Sequence, residues 1–152
     1  MFEWNAEEGR WDAAHHPFTM PRPNTYEAMM ADPLAVLSDA YDLICNGYEL
    51  ASGSIRVHDP KIQMDIFRVL GYLEDEARAK FGHMMEAFSY GAPPHGGMAP
   101  GIDRLVMLMA GENNIREVIA FPKTAQATDL MADTPAAVSA RQLKELHIQF
   151  DV

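Results

Sequence analysis

The sequence predicts an α+β fold in which an antiparallel β-sheet is flanked by helices. Asn46-Gly47, the dipeptide preferred in two-residue type I′ hairpin turns, stands between two runs rich in Val, Ile, Tyr and Leu. Residues 61–90 repeat apolar side chains at helical spacing. Strands that pair through a hairpin, with helices gathered between them and a later strand, favour an antiparallel sheet.

The length and composition are typical of a single domain over residues 1–152. Of its 152 residues, 48% are hydrophobic and 22% are charged. A folded domain of this length buries about 70% of the surface that its unfolded chain exposes. The formal net charge of −10 argues against a protein that grips nucleic acid through its own basic face. Cys45 is the only cysteine, which excludes a disulfide framework, fits a reducing compartment and is expected to be buried.

The distribution of apolar residues predicts a cytoplasmic chain with no signal peptide and no transmembrane helix. Residues 1–8 are acidic and lack the apolar stretch of a signal peptide. No run approaches the 18 or so uninterrupted apolar residues that a transmembrane helix needs.

The first 33 residues form a loop-rich segment punctuated by proline. A short helix is expected over 24–30, where Asn24 or Thr25 can cap it and Glu27 can complete the capping box. The rest of this segment is expected to be extended loop.

The hairpin over residues 34–58 places two carboxylates together. The two-residue turn sets three predicted pairs, namely Cys45 with Tyr48, Ile44 with Glu49, and Asp42 with Ala51. Asp42 and Glu49 then share one face. Ser52-Gly53-Ser54 predicts a bulge or a point of close approach. A regular strand puts Arg56 on the face opposite Glu49, and a one-residue bulge brings it round.

The remaining elements follow from periodicity and stop signals. Two helices are predicted within 61–90, ending at Gly71 and Gly91. A Gly/Pro loop over 91–101 leads to a short apolar helix over 102–110 that is expected to be buried. Residues 116–122 predict a buried strand, and a last short helix is expected to be capped near Ser139.

Asp42 and Glu49 allow two interpretations. Paired carboxylates on a sheet face suit Mg²⁺, which takes one or two carboxylates and completes its shell with water and substrate phosphates. Alternatively, they form ion pairs with Arg56 and Arg104, or a solvated acidic face.

Two arginines are candidates to bind an anionic ligand. Arg56 lies among Ser, Gly and Ile, and a guanidinium is a natural grip for a carboxylate or phosphate. Arg104 stands in the first turn of a helix, where a cation opposes the helix dipole. A bound triphosphate would hold Arg104 there; pairing with Asp103 or another acid explains it equally well.

The histidines give no metal signature. His15 and His16 are adjacent in a loop, so their side chains point apart, and one can contact a ligand while the other packs. His95 is expected to brace the glycine-rich loop. The sequence has no HExxH, P-loop, GxSxG or strand-preceded GxGxxG pattern, which excludes the corresponding zinc, nucleotide and hydrolase classes.

Several blocks together resemble a known family. AHHPFT, AYDLICNGYELASGSIRVHD, YGAPPHGGMAPGIDRLVMLMAG, NIREVIAFPKTAQATDLM and LKELHIQ resemble the C-terminal part of the catalytic domain of bacterial-type aspartyl-tRNA synthetases, which are class II aminoacyl-tRNA synthetases. The resemblance spans essentially the whole chain. GIDR is similar to the third signature motif of the class, and NGYELASGSIR to the block that separates aspartate enzymes from lysine and asparagine relatives.

The resemblance implies a role for each matching residue. Arg104 is the catalytic arginine near the ATP γ-phosphate, and the implied ATP-binding residues are Glu49, Gly101, Ile102, Asp103 and Arg104. Arg56 and His15 are implied to bind aspartate. Asp42 and Glu49 are implied to bind Mg²⁺. ATP and Mg²⁺ are therefore the expected cofactors, within a partial class II synthetase catalytic fold.

The implied activity is aspartate–tRNA ligation, in which aspartate is activated by ATP and then transferred to tRNA. The anticodon-binding domain and the first two class motifs are absent from this sequence, so the chain is expected to be a fragment with little activity alone. The intact enzyme is expected to be a homodimer that binds tRNA mainly elsewhere.

Two alternatives to the ligase fragment remain. The stronger is a free-standing, non-catalytic synthetase-like paralogue that binds nucleotide or a partner; the weaker is an adenylating amide synthetase on the same fold. Pro100 replaces a usual aromatic residue and is expected to perturb the ATP loop rather than abolish binding.

Overall fold

The computed structural model describes residues 1–150, which belong to two compact units. Unit 1 is Met1–Gly101 and unit 2 is Ile102–Val152. The single domain expected over 1–152 stays a prediction. No helix within the described residues is long and apolar enough to cross a membrane.

A small hairpin opens unit 1 in the segment that was expected to be extended loop. Strands β1 (Phe2–Asn5) and β2 (Arg10–Ala13) pair antiparallel. Trp4 lies opposite Trp11, and their rings meet edge to face with centroids 5.2 Å apart. The prediction was wrong here because such a cross-strand aromatic pair stabilises a hairpin whose strands are too short to show periodicity.

The expected helix over 24–30 is a single turn, α1 (Pro23–Tyr26), and it starts one residue earlier. Proline at the first helical position suits the turn, because its missing N–H needs no partner there. Arg22 occupies the cap position, where no side-chain hydrogen bond forms. A 3₁₀ turn, Pro33–Ala35, then leads to the main sheet.

The main sheet of unit 1 has three antiparallel strands in the order β3-β4-β5. They are β3 (Ala40–Cys45), β4 (Tyr48–Ile55) and β5 (Gly96–Pro100). Asn46 and Gly47 have φ of 52° and 82°, which confirms the predicted left-handed turn between β3 and β4. Cys45 is exposed beside this turn, so its predicted burial was wrong.

The two helices predicted within residues 61–90 are confirmed, and both belong to unit 1. They are α2 (Pro60–Val69) and α3 (Glu74–Ser89). Asp59 caps α2 by accepting a hydrogen bond from the Lys61 amide at 2.7 Å. Phe67 of α2 is fully buried and stacks on Phe81 of α3 with ring centroids 4.8 Å apart. The aromatic contact between the two helices forms one of the two hydrophobic cores.

Unit 2 contains α4 (Ile102–Ala110), a 3₁₀ turn (Ile115–Glu117) and α5 (Ala140–Glu145). Of the nine residues of α4, only Met107 is buried, so the expectation of a buried helix was wrong. Within its unit the element packed against α4 is that short 3₁₀ turn, which is too small to cover an apolar helix.

Of the two predictions for the rest of unit 2, the strand was wrong and the last helix is confirmed. The strand expected over 116–122 is absent, because the 3₁₀ turn uses its first residues and no neighbouring strand of the described unit pairs with the others. The last helix is confirmed. Ser139 caps α5, and the Gln142 side chain accepts a hydrogen bond from the Ser139 amide at 3.1 Å, completing a capping box.

Candidate functional site

The β3–β4 hairpin determines which residues share the candidate face. The predicted pairs of Cys45 with Tyr48 and of Ile44 with Glu49 are both confirmed. The predicted pair of Asp42 with Ala51 was wrong, because Asp42 lies opposite Ser52. The register shifts by one between Leu43 and Ile44 of β3, which leaves Leu50 of β4 as an extra, bulged residue.

This bulge brings Arg56 to the same face as the two carboxylates. Asp42 and Ile44 alternate to one face of β3, and Ile44 is paired with Glu49. Beyond the bulge, Ser52 is paired with Asp42, so alternation puts Ser52 and Arg56 on that same face. A one-residue bulge was expected to do this, and it lies at Leu50 rather than within Ser52–Ser54.

The bulged residue also fixes the end of the glycine-rich strand. The carbonyl of Leu50 accepts a hydrogen bond from the Gly101 amide at 2.7 Å. Pro100 ends β5 opposite Ala51, at the edge of the sheet. Proline is tolerated at a strand end and on an edge, because its missing N–H breaks no interior ladder bond. The next amide, that of Gly101, supplies the bond to β4.

Glycine at position 53 allows β3 and β5 to meet across β4. A Cβ atom on Gly53 would lie 2.2 Å from the Gly97 carbonyl oxygen and 2.6 Å from the Tyr41 ring. Through this gap the Tyr41 hydroxyl donates a hydrogen bond to the Gly97 carbonyl at 3.0 Å. The close approach predicted for this stretch is therefore confirmed, and Tyr41 is a positioning residue that sequence reasoning missed. A tyrosine paired with a strand glycine was the signal that could have found it.

Asp42 and Glu49 provide exposed carboxylates on the common face. Two hard oxygen donors fit Mg²⁺, which needs few protein ligands when water and phosphates supply the others. No group of three or more His, Cys, Asp or Glu within residues 1–150 is arranged to hold a metal ion without such help. The donor set therefore suits an ion shared with a substrate and not a closed structural site.

Arg56 is held from both sides by backbone pairing. Its amide donates a hydrogen bond to the His95 carbonyl at 2.9 Å, and it forms a β-bridge with Thr19. Its Nη1 atom lies 3.1 Å from Nδ1 and 2.5 Å from Nε2 of His16. The guanidinium is therefore placed by a neighbouring imidazole ring as well as by its own strand.

The Arg56 side chain lines a cavity of about 460 Å³ within unit 1. The other lining residues are Phe18, Val57, Met84, Phe88 and His95. Among the described residues 1–150, no ion pair joins Arg56 to a carboxylate. The ion pair with Asp42 or Glu49 that sequence reasoning allowed is thus not formed. A half-buried guanidinium on apolar walls is suited to bind an anionic group of a small ligand.

The two adjacent histidines have different surroundings. His15 is exposed, whereas His16 is half-buried beside Arg56 and accepts a hydrogen bond from the Phe18 amide at 3.2 Å. Burial lowers the pKa of His16, and the positive charges of Arg56 and His15 lower it further. The adjacency of the pair was visible in the sequence, but only the fold shows which ring lies against the arginine.

His95 braces its own loop, as expected, because its Nδ1 lies 2.8 Å from the Pro93 carbonyl oxygen. Its backbone carbonyl also accepts the bond from Arg56, so the bracing extends to the cavity wall.

The start of α4 belongs to unit 2. Ile102, Asp103 and Arg104 form its first turn, and all three side chains are exposed. Gly101 is the last residue of unit 1. Four of the five residues predicted to bind ATP therefore follow one another along the chain from Gly101 to Arg104, after the end of β5, whereas Glu49 lies in β4. An exposed helix N-terminus presents free backbone N–H groups, which favour anions.

A larger cavity of about 650 Å³ lies between α2 and α3, and none of the predicted site residues lines it. Two of the charged residues that line it form an ion pair, since Arg78 contacts Glu74 at 2.8 Å. Arg68 also binds Asp65 at 2.7 Å. The larger cavity is therefore not the one that contains the predicted site; the smaller cavity is lined by Arg56, whose guanidinium forms no ion pair with a carboxylate of residues 1–150.

The chain is similar in sequence to class II tRNA synthetases. A family described as tRNA synthetases class II (D, K and N) matches residues 9–125. An aspartate–tRNA(Asp/Asn) ligase of Rubrobacter xylanophilus is 58% identical over 97% of this chain and 25% of its own length. An aspartate–tRNA ligase of Macrococcus caseolyticus is 52% identical over 100% of this chain and 26% of its own length. The chain spans about a quarter of the length of these relatives.

Solved structures of class II synthetases are also similar to this chain. An aspartyl-tRNA synthetase from Entamoeba histolytica has a TM-score of 0.58 and 32% identity, covering 74% of this chain and 21% of its own. An asparaginyl-tRNA synthetase from Pyrococcus horikoshii has a TM-score of 0.55 and 28% identity, covering 72% and 24% respectively.

Proposed function

This chain belongs to the family of tRNA synthetases class II (D, K and N), and we propose from that premise that it serves aspartate–tRNA ligation by holding aspartate and ATP. The observation that carries the proposal is the placement of Arg56, which lines a cavity and forms no ion pair with a carboxylate of the described residues. The names of relatives over 50% identical support the choice of aspartate.

Arg56 is proposed to bind the side-chain carboxylate of aspartate. A planar guanidinium donates two parallel hydrogen bonds to a carboxylate, whereas the amide of asparagine offers only one acceptor atom and no charge. The apolar side chains of Met84 and Phe88 in the same cavity weaken competition from water. His15 is proposed to contact the amino acid from the exposed loop beside His16.

The ATP side is proposed to be formed by Glu49, Gly101, Ile102, Asp103 and Arg104, with Arg104 as the catalytic residue. Class II synthetases use ATP and Mg²⁺ in general, and Asp42 and Glu49 would hold the ion here. That ion would supply positive charge to the phosphate oxygens. The cationic side chain of Arg104 would stabilise negative charge that develops on the phosphates during adenylate formation.

The protein surface limits what this chain can do with tRNA. A net charge of −10 gives it little electrostatic attraction for a polyanion, so the proposal assigns most of the tRNA grip to other parts of a longer, homodimeric enzyme. A cytoplasmic location belongs to the same proposal.

Calorimetry with L-aspartate and L-asparagine tests the function at the residue that carries it. We expect aspartate to bind more tightly than asparagine, and the Arg56→Gln variant to lose roughly tenfold or more in aspartate affinity because a charged hydrogen-bond pair is removed. Arg78→Gln is the matched control, since Arg78 pairs with Glu74 on the surface of α3. Equal affinity for the two amino acids, or unchanged aspartate binding by Arg56→Gln, would refute the proposal.

A further inference from the structure

The imidazole ring of His16 makes most of its contacts with groups that donate hydrogen bonds. Nη1 of Arg56 lies 2.5 Å from Nε2 and 3.1 Å from Nδ1. The Phe18 amide donates to Nδ1 at 3.2 Å, and the Thr19 hydroxyl lies 3.5 Å from Nε2. Arginine and a backbone amide can only donate, so at least one ring nitrogen of His16 must accept.

Only the uncharged ring can accept a hydrogen bond. Neutral imidazole has one acceptor nitrogen in either tautomer, whereas imidazolium has none. Protonation would therefore remove the acceptor that faces Arg56 and place a second positive charge against the guanidinium. Both effects oppose the contact, whichever tautomer the neutral ring adopts.

The surroundings make Arg56 the dominant charge near His16. Burial contributes most to the lowered pKa of His16, followed by the charge of Arg56 and then that of His15. His95 is the other titratable residue that lines the cavity. From α3 the cavity is lined by apolar Met84 and Phe88. From α2, Gln63 donates a hydrogen bond to the Pro17 carbonyl at 2.7 Å.

We propose that uncharged His16 is a positioning residue, which holds the Arg56 guanidinium in place to receive a carboxylate, and that protonation of its ring releases the guanidinium. This inference rests on the proposed function, because the carboxylate in question is that of aspartate. It adds a pH-dependent control of the aspartate site, exerted by a residue that need not touch the substrate.

The contact itself can be tested without any ligand. NMR titration of the histidine rings in the whole chain should give His16 a pKa below the ordinary value of about 6.5. The Arg56→Gln variant should move it upwards, because a neighbouring positive charge is removed. His83, which is exposed on α3, is the internal reference in both spectra. An unchanged His16 titration in Arg56→Gln would overturn the proposal.

The effect on binding is tested by calorimetry with L-aspartate between about pH 8 and pH 5, where the side chain of free aspartate stays ionised. We expect the affinity of the wild-type chain to fall by roughly tenfold as His16 becomes protonated, since one charge-assisted contact is lost. His16→Gln should flatten this profile, because its amide oxygen accepts at every pH. His83→Gln should keep the wild-type profile.

The two proposals fail in different ways. Aspartate binding that strengthens at acid pH, or an unaltered profile in His16→Gln, refutes the positioning role and leaves the aspartate site standing. Absence of aspartate binding at every pH, combined with a His16 titration that responds to Arg56→Gln, refutes the aspartate site and supports the contact.

Discussion

Replacing Gly53 by alanine should disrupt the main sheet, because the added methyl group has no room. Its Cβ atom would lie 2.2 Å from the Gly97 carbonyl oxygen, 2.6 Å from a ring carbon of Tyr41 and 3.1 Å from the Met98 Cα atom. Two of these three atoms belong to the backbone of β5 and cannot rotate away. Ordinary contacts of a Cβ atom begin at 3.4 Å, so β5 would have to move by about 1 Å.

The expected cost follows from two terms. Overpacking a well-fitted site typically costs about 1–3 kcal/mol. Displacing the Gly97 carbonyl also stretches or breaks its hydrogen bond from Tyr41, which is worth about 1 kcal/mol. Together these give a loss of about 2–4 kcal/mol in the free energy of unfolding, a large share of the roughly 5–15 kcal/mol of a typical domain.

Urea unfolding followed by circular dichroism measures this loss directly. Gly82→Ala is the matched control, because a Cβ atom on Gly82 meets nothing within 4 Å. That glycine lies inside α3, where alanine should stabilise the helix by about 0.5–1 kcal/mol. The two glycine-to-alanine changes should therefore have opposite signs. A Gly53→Ala variant as stable as the wild-type chain would refute the close approach of β3, β4 and β5.

Two further predictions concern the core and the titration of unit 1. Phe67→Ala should cost about 3–5 kcal/mol in urea unfolding, because the ring is fully buried; an exposed control, Tyr90→Ala, should change stability by less than about 0.5 kcal/mol. The hydrogen bond to Asp65 raises the pKa of Tyr26 from 10.0 to about 12. Its contribution to stability should be complete below pH 10 and be lost as the pH rises through about 12. Ultraviolet titration should show a late phenol step that Asp65→Asn moves to lower pH; a titration without that step would contradict the hydrogen bond.

The sequence was most informative where local chemistry decides the structure. Asn46-Gly47 predicted the hairpin because few other dipeptides adopt left-handed φ at both positions without strain. The predicted cap near Ser139 located α5 for a similar local reason. The residues of the candidate face followed from the hairpin, and their proposed roles followed from the family resemblance.

Elements that depend on distant partners were not predicted. Gly96–Pro100 has almost no intrinsic strand propensity and forms β5 only because β4 offers a ladder beside it. Residues 116–122 have the opposite character, with apolar strand formers but no partner strand in the described unit. The contact between His16 and Arg56 lies beyond sequence reasoning, since it requires knowledge of how the loop crosses the sheet.

The extra residue at Leu50 determines which side chains of β4 share a face of the sheet. Loss of that single codon would leave the turn, both flanking strands and every other amino acid unchanged. It would place Glu49 and Arg56 six residues apart in a regular strand, so both would still lie on one face of the sheet. What it would remove is the Leu50 carbonyl, which accepts the hydrogen bond from the Gly101 amide. We therefore expect the strand to tolerate substitution at Leu50 better than deletion, because the backbone carbonyl of that residue, and not its side chain, holds Gly101 against β4.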